Sequence, residues 1–304
     1  MISVIICTFN RSDRLRHTLK SLQEMSVPAN LSWELVVVDN NCIDDTRQVI
    51  ENFSVISRFN IRYIFEGSQG LSHARNLGIK EARGEILAFT DDDVTVDPNW
   101  LGHLKAAFDA EDCIGVAGKI VPVWTCGKPA WLDTNGPHRF MKAIPSFDLG
   151  DDRCEIKTPP FGANMAFRKA AFEKYGLFRI DLGRTGTNLG IGEDTEFGRR
   201  LIHAKERLLY APNAVVYHPV EPERAKKNYY QSWYFNYGRT AAKLNRLSHG
   251  AGFQFKQPAW IIRNLLTGLL KWTFAFDSDR RFHHKLRICK TLGQLAEFFN
   301  IVRK

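Results

Sequence analysis

The chain has 304 residues, of which 44% are hydrophobic and 25% are charged, and this composition excludes a fibre, a linker or a disordered tail. The formal net charge is +9, from 42 Lys and Arg against 33 Asp and Glu. Residues 221–304 hold 16 of the basic and 5 of the acidic residues, so they carry the whole basic excess. This distribution predicts two regions, 1–220 and 221–304, with different roles.

Short β-branched runs alternate with segments of helical period in the first 125 residues. The predicted strands are 2–8, 34–39, 61–65 and 86–90, and the predicted helices are 14–24, 44–52 and 71–81. Repeated β-α-β units of this kind indicate an α/β fold, in which a mostly parallel sheet is flanked by helices.

Six prolines make the segment 122–160 rich in loops, and this predicts an irregular insertion that shapes a substrate site. A helix at 169–175, a glycine-rich segment up to 192, a helix at 194–203 and a short strand at 214–217 are predicted to follow. The remaining residues, 221–304, are predicted to be helical.

Residues 260–273 have the spacing of an amphipathic helix. One predicted face carries Arg263, Asn264, Thr267, Gly268 and Lys271, and the other carries Ile261, Ile262, Leu265, Leu266 and Leu269. Residues 221–304 as a whole hold 15 of the 36 aromatic residues. The apolar face of this helix therefore fits either an anionic membrane surface or the surface of the first region or of a second subunit. Both alternatives stay open at this point. No membrane-spanning helix is predicted, since charged residues interrupt the most apolar stretch.

Polar side chains follow three of the predicted strands, at residues 8–11, 39–41 and 91–93. In parallel sheets these carboxyl ends meet at one edge, where ligands bind. The run Asp91-Asp92-Asp93 is the most specific signal of the three, because adjacent carboxylates repel one another unless a cation offsets their charge. A hard divalent ion with oxygen ligands would do so, whereas a solvated turn that caps the next helix is the structural alternative.

Six ordered segments together carry a resemblance to a known family. They are V-I-I-C-T-F-N-R ending at residue 11, E-L-V-V-V-D-N-N at 34–41, G-L-S-H-A-R-N-L-G at 70–78, I-L-A-F-T-D-D-D at 86–93, the segment 162–168, and G-E-D at 192–194. Over residues 1–220 the chain resembles the family 2 glycosyltransferases, which have the Rossmann-like GT-A fold. The resemblance implies an inverting enzyme that moves a sugar from a nucleotide-sugar donor, UDP-linked, to a hydroxyl of a glycan or lipid-linked glycan in polysaccharide biosynthesis. It also implies a nucleotide-binding half, 1–125, and an acceptor-binding half, 126–220. The predicted helical extension, 221–304, lies beyond the residues that the resemblance covers.

The same resemblance implies roles for individual residues. Those around the donor are Thr8, Asn10, Arg11, Asp39, Arg75, Asn76, Asp91, Asp92 and Asn164. Asp39 would accept the imide N–H of a uracil, and Arg75 would offset the charge of the leaving diphosphate. The implied ligands of a divalent metal, Mn²⁺ or Mg²⁺, are Asp93, Asp91 and His218, with Asp93 as the main one.

An acidic pair, Glu193 and Asp194, opens the predicted helix after the glycine-rich segment. In the family this pair includes the general base, so Asp194 is expected to remove the proton of the acceptor hydroxyl. Capping of the helix N-terminus is the simpler alternative for these two carboxylates.

Two other classes of protein fit the sequence less well. A non-enzymatic basic module for RNA or membrane fits the last 84 residues but leaves the strand-end carboxylates unexplained, and acidic clusters repel phosphate. A sugar-phosphate nucleotidyltransferase would need an early glycine-rich loop, which is absent after residue 8.

The expected partners are therefore a nucleotide sugar and a glycan or lipid-linked acceptor, without nucleic acid. A homo-oligomer and a peripheral membrane contact through 221–304 stay open. The N-terminus runs directly into an apolar strand and the six cysteines show no C-x-x-C spacing, so the expected location is the cytoplasm, with possible attachment to the inner face of the cell membrane.

Overall fold

The computed structural model describes residues 1–132, 143–186, 190–253 and 257–299. The chain divides into two compact units: the first comprises Met1–Val123, Pro145–Thr187 and Glu193–Pro219, and the second comprises Trp124–Ile144, Asn188–Gly192 and Val220–Lys304. The first unit thus ends at Pro219, and the segments at 124–144 and 188–192 belong to the second unit. Part of the predicted loop, 133–142, lies outside the described residues.

The first unit is built on a mixed sheet flanked by helices. Its strands are β1 (Ile2–Thr8), β2 (Trp33–Asp39), β3 (Asn60–Phe65), β4 (Ile86–Thr90), β5 (Thr95–Val96), β6 (Gly115–Trp124), β7 (Cys154–Glu155), β8 (Asn164–Arg168) and β9 (Leu208–Val220). Its helices are α1 (Ser12–Gln23), α2 (Thr46–Ile56), α3 (Leu71–Glu81), α4 (Trp100–Ala110), α5 (Lys169–Tyr175) and α6 (Glu193–His203). The strand order is β3-β2-β1-β4-β8-β6-β9-β5, with β7 paired to β9. Strands β1 to β4 pair in parallel, whereas the pairs made by β5, β7 and β8 are antiparallel. The predicted α/β fold is confirmed, and β1 to β4 form a parallel part of the sheet.

Alternating side chains of β1 and β2 pack into two hydrophobic cores, one on each face of the sheet. Val4 and Val37 belong to one core, together with apolar residues of α1, α2 and α4. Ile5 and Val36 belong to the other, together with residues of α3, α5 and α6. Because neighbouring residues of a strand point to opposite faces, continuous apolar runs are what a sheet covered on both sides requires.

The strand register brings the predicted polar segments to one edge. Thr8 at the end of β1 pairs with Asp39 at the end of β2, and Ile6 of β1 pairs with Thr90 at the end of β4. Helix α3 lies close against this sheet because Gly78 has no side chain: a Cβ there would lie 2.6 Å from Ile5 Cγ2. The sheet thereby positions the residues that precede Gly78 on α3 near the same edge.

The second unit is helical. It contains α7 (Lys227–Phe253), α8 (Gln257–Thr273) and α9 (Ser278–Phe298), preceded by a 3₁₀ turn at Pro222–Ala225. Helices α7 and α9 cross in backbone contact, because a Cβ at Gly238 or at Gly293 would lie 1.9 Å from a carbonyl oxygen of the other helix. No helix in the described part of the chain combines the length and the apolar character needed to cross a bilayer.

Most of the predicted apolar face of α8 is exposed. Ile261 is buried, but Ile262, Leu266 and Leu269 are exposed, and the buried face of the helix includes Gly268. The physical reason is the packing partner: α9 lies against the side of Gly268, where the absence of a side chain lets the two helices approach. Consecutive helical residues are about 100° apart around the axis, so Ile261 and Ile262 cannot both face that partner.

Candidate active site

Three carboxylates follow β4 where this buried strand leaves the sheet. Asp92 and Asp93 are buried and Asp91 is half-buried. Arg11 Nη1 lies 3.1 Å from Asp92 Oδ1 and 3.3 Å from Asp93 Oδ2, and Arg14 Nη1 lies 3.5 Å from the same Asp93 oxygen. The two arginines at the start of α1 therefore offset part of the repulsion among the carboxylates.

Burial raises the pKa of the Asp92 carboxyl to about 6, and the neighbouring negative charge of Asp93 adds to this rise. The charge of Arg11 opposes both effects. The Asp92 carboxylate thus has a cation of the protein itself, Arg11, as its partner.

A second group of side chains can hold a metal ion. The ligand atoms of Asp91, Asp93 and His218 all lie within 4.8 Å of one another. His218 Nε2 is 3.6 Å from Asp91 Oδ2 and 3.4 Å from Asp93 Oδ1. The cis ligands of an octahedral ion stand about 3 Å apart, so a small contraction would bring the three atoms into coordination. Carboxylate oxygen and imidazole nitrogen are ligands that suit Mn²⁺ and Mg²⁺.

The orientation of His218 supports this use. Its Nδ1 lies 3.0 Å from the carbonyl oxygen of Pro219, an arrangement in which Nδ1–H donates and Nε2 is turned toward the carboxylates. Burial by itself would raise the pKa of Asp91, but His218 and then Arg75 outweigh it and hold that pKa well below its usual range. Nε2 of His218 is therefore the ligand atom that this imidazole can offer to a metal ion.

Arg75, which was predicted to bind the donor, lies next to Asp91 of this group. It is buried, with Nη1 2.5 Å from Glu193 Oε1 and Nη2 3.7 Å from Asp91 Oδ1. Gly162 leaves room for its guanidinium, because a Cβ at that position would lie 2.3 Å from Arg75 Nη2. Burial raises the pKa of Glu193, and so does the adjacent charge of Asp194, while Arg75 opposes both. The buried guanidinium thus joins the end of β4 to the start of α6.

Asp194 is the more accessible member of the acidic pair. It is half-buried, its Oδ2 accepts the backbone N–H of Gly162 at 2.9 Å, and its Oδ1 accepts that of Thr195 at 2.6 Å. These two bonds fix the carboxylate at the N-terminus of α6, where the helix dipole favours negative charge. A fixed and accessible carboxylate can accept a proton from a bound hydroxyl.

The first two strand ends form the neighbouring part of the edge. Asp39 is buried, its Oδ1 accepts the N–H of Cys42 at 2.8 Å, and its Oδ2 accepts the hydroxyl of Tyr63 at 2.9 Å. Asn10 has a positive φ of 51°, and its Oδ1 accepts the N–H of Ile43 at 2.8 Å. Thr8 is buried at the end of β1. An open cavity of about 370 Å³ lies beside them, lined by Asn10, Arg11, Ser12, Asp13, Arg14 and Asp44.

Two of the predicted donor-binding residues use their side-chain amides for hydrogen bonds within the protein. Asn76 uses its side-chain amide to bond both the N–H and the C=O of Phe178, at 2.9 and 2.8 Å. Asn164 is fully buried, donates to the carbonyls of Lys119 and Ala214, and accepts the indole N–H of Trp100. Because these amide groups are already satisfied within the protein, the structure gives both residues a role in holding elements together.

Sequence reasoning missed two residues of the site. Arg14 lies one helical turn beyond Arg11, a spacing that would have placed it on the same face of α1. Tyr63 of β3 pairs in register with Val37, two residues before Asp39, so only the parallel strand register would have placed its hydroxyl there.

The chain matches known proteins over most of its length. Residues 3–176 match the family described as Glycosyl transferase family 2. The succinoglycan biosynthesis protein ExoM of Rhizobium meliloti (strain 1021) is 29% identical over 244 residues, which cover 80% of this chain and 74% of that protein. The glucosyl-dolichyl phosphate glucuronosyltransferase of Haloferax volcanii is 23% identical over 248 residues, which cover 80% and 77% of the two chains.

Solved structures show the same fold. The mannosyltransferase PcManGT from Pyrobaculum calidifontis, in complex with GDP-Man and Mn²⁺, aligns with a TM-score of 0.65 at 16% identity and covers 98% of this chain and 87% of its own. S. aureus TarS in complex with UDP aligns with a TM-score of 0.54 at 20% identity and covers 99% and 90%. The family match, the relatives in polysaccharide biosynthesis and the shared fold agree with the strand-end carboxylates: this chain belongs to the family 2 glycosyltransferases and has the GT-A fold.

Proposed function

We propose that this glycosyltransferase moves a sugar from a UDP-linked donor to an acceptor hydroxyl with inversion, and that it uses a divalent metal, Mn²⁺ or Mg²⁺. The observation that carries the proposal is the convergence of Asp91, Asp93 and His218 within 4.8 Å at the carboxyl edge of the parallel strands. The structures of PcManGT with GDP-Man and Mn²⁺ and of TarS with UDP support it by similarity of fold.

Asp93 and His218 would hold the metal ion, with Asp91 as a third ligand or as a contact to the donor ribose. A divalent ion bound there supplies positive charge that stabilises the leaving diphosphate. Asp93 is the better anchor because it is buried and stands between His218 and two arginines, whereas Asp91 is half-buried.

The nucleotide would bind over the ends of β1 and β2. Asp39 would accept the imide N–H of uracil, since a carboxylate oxygen that already accepts one hydrogen bond retains further acceptor capacity. Thr8, Asn10 and Arg11 would contact the base and the diphosphate. The open cavity at the start of α1, which is lined by Asn10, Arg11 and Arg14, supports this assignment.

Asp194 would act as general base. It would take the proton from the acceptor hydroxyl as that oxygen forms its bond to the anomeric carbon and the bond to the nucleotide diphosphate breaks on the opposite face. Its accessibility and its fixed position at the N-terminus of α6 support the assignment. Glu193 and Arg75 would position this part of the site without touching the reacting atoms.

We further propose that the acceptor is a glycan or a lipid-linked glycan, and that residues 221–304 hold the enzyme at the inner face of the cell membrane. The names of two relatives support the acceptor class, one for succinoglycan biosynthesis and the other for glucosyl-dolichyl phosphate. The basic charge of residues 221–304 supports the membrane contact, because inner leaflets carry anionic lipid.

A thermal-shift screen of nucleotide sugars tests the proposal. UDP-sugars together with Mn²⁺ should raise the melting temperature more than GDP-sugars do, because a tightly bound donor stabilises the folded state by mass action. The selected donor should then release UDP only when metal is present, and NMR of the product should show an inverted anomeric centre. Stabilisation by no nucleotide sugar, or a product with retained configuration, would overturn it.

A further inference from the structure

Helix α8 packs on α9 with one face and leaves a line of large apolar side chains on the opposite face. Gly268 faces α9, where a Cβ would lie 3.2 Å from Ile288 Cγ1. Ile262, Leu266 and Leu270, which we call the α8 stripe, are 45%, 57% and 60% exposed. Their spacing of four residues makes them one continuous line on the helix surface.

The exposed apolar surface continues into the turn between α8 and α9. Phe274 and Phe276 are 72% and 99% exposed. The turn is held by Asp277, whose Oδ1 accepts the N–H groups of Asp279 and Arg280 at 3.1 and 2.8 Å. Two large aromatic rings are thus presented outward by a capped turn, and contiguous apolar surface of this kind marks a site of interaction.

The hydroxyl groups near the stripe do not depend on water. Thr267 Oγ1 donates to the carbonyl of Arg263 at 2.7 Å, and Thr273 Oγ1 donates to that of Leu270 at 2.8 Å. Because each hydroxyl bonds to its own helix, this face can leave water without an unsatisfied donor.

Exposed cations lie along both sides of the stripe. Arg263 and Lys271 lie on one side, separated by two helical turns. Arg281 lies on the other, with its guanidinium 4.7 Å from the centre of the Trp272 ring. Residues 257–299 contain seven Lys and Arg against three Asp and Glu. An apolar line between cations complements a partner that has a negatively charged outer layer and an apolar interior beneath it.

We propose that the α8 stripe docks on an anionic lipid bilayer, with α8 parallel to the membrane plane and Phe274 and Phe276 inserted between the headgroups. Lipid phosphates would attract the flanking cations, whereas a second copy of the chain would bring one basic unit against another. The inference deepens the proposed function, because it names the face by which residues 221–304 would reach a lipid-linked acceptor.

Flotation of the full chain with vesicles tests this proposal. Vesicles of phosphatidylcholine, with and without phosphatidylglycerol, are compared for the wild type and for the double variant Leu266→Gln, Leu270→Gln. The variant should bind anionic vesicles roughly tenfold more weakly or worse, because two leucines no longer leave water. The matched control is Val55→Gln, Ile56→Gln on α2, where the side chains are 84% and 66% exposed, and it should bind like the wild type.

A second variant, Arg263→Gln with Lys271→Gln, tests the charge. Its affinity for anionic vesicles should be roughly thirtyfold lower than that of the wild type, and its weak affinity for neutral vesicles should change little. High salt should reproduce this loss in the wild type.

Three results would overturn the proposal. In the first, the wild type binds no anionic vesicles, and in the second, the stripe variant binds them like the wild type. In the third, the wild type is a dimer and the stripe variant is a monomer, with no difference between them in vesicle binding. Unchanged thermal melting of the variant shows that it folds. Release of UDP from a donor in solution, measured on the same variant, separates a failure of docking from a failure of the proposed function.

Discussion

Arg75 and Glu193 form a buried ion pair, in which Nη1 stands 2.5 Å from Oε1 across 118 positions of sequence. The same guanidinium reaches Asp91 with its other nitrogen, at 3.7 Å. One cation thus ties the first turn of α6, which carries Asp194, to the strand end that carries the candidate metal ligands. We propose that the relative position of Asp194 and the candidate metal ligands depends on this contact, which would make Arg75 a positioning residue.

Replacing Arg75 should destabilise the protein strongly. Arg75→Met leaves the buried carboxylate of Glu193 without its partner, and the expected loss is about 3–5 kcal/mol in the free energy of unfolding, measured with urea. The control is Arg179→Met, which removes an ion pair with Asp181 on the surface and should cost less than about 1 kcal/mol. Equal and small effects of the two substitutions would contradict the role given to Arg75.

The two members of the acidic pair should respond differently. Asp194→Asn should lower kcat by roughly 10²–10⁴-fold, because the general base is lost, while the Kd for UDP stays near that of the wild type. Glu193→Gln should act mainly on stability. Glu196→Gln, on the same helix and paired with Arg200, is the matched control and should keep its activity. A wild-type kcat in Asp194→Asn would dismiss it as the base.

The crossing of α7 and α9 should not tolerate a methyl group. In Gly238→Ala the new Cβ would lie 1.9 Å from the carbonyl oxygen of Lys290, so the helices must separate, at a cost of roughly 1–3 kcal/mol or more. Gly102→Ala on α4 is the control, since its Cβ would meet Pro28 at an ordinary 3.6 Å. Thermal melting of both variants measures the difference, and equal melting temperatures would contradict the close crossing.

Ionisation of Glu34 should make the free energy of unfolding depend on pH. Its burial would raise its pKa, but the Ser3 hydroxyl, the N–H of Arg83 and the charge of Arg62 outweigh burial and lower it. A carboxyl whose pKa is lower in the folded state stabilises the protein at pH values above its unfolded-state pKa. This stabilisation is lost as the pH falls through the folded-state pKa. Glu34→Gln should therefore cost about 1–3 kcal/mol at pH 7 and much less near pH 3. A cost that is equal at both pH values would contradict this explanation.

The edge that carries the site could be predicted because it follows from local patterns. Apolar runs define β1, β2 and β4, and parallel strands bring their ends together, so Thr8, Asp39 and Asp91 had to be neighbours. The partners of Asn76 and Asn164 could not be predicted in this way. Asn76 bonds to Phe178, 102 positions away, and such a contact depends on how separate elements pack and leaves no periodic signal.

The side of α8 that packs on α9 could not be predicted, for a related reason. Its sequence contains apolar residues on more than one side, Ile261 next to Ile262, and periodicity alone cannot say which side meets a neighbour. Gly268 decides it, because only that side lets α9 come close. Helix α4 was also missed, although its buried residues Trp100, Leu101, Leu104, Ala107 and Phe108 recur at helical spacing.

The central claim is that Asp91, Asp93 and His218 hold the metal on which transfer depends, and calorimetric titration of Mn²⁺ in the presence of UDP tests it most directly. The wild type should bind one Mn²⁺ per chain, and Asp93→Asn should lose this binding together with metal-dependent UDP release. Asp109→Asn on α4, an exposed carboxylate paired with Lys105, should bind Mn²⁺ like the wild type. Mn²⁺ binding by Asp93→Asn at wild-type strength, or UDP release by the wild type in the presence of EDTA, would contradict the account.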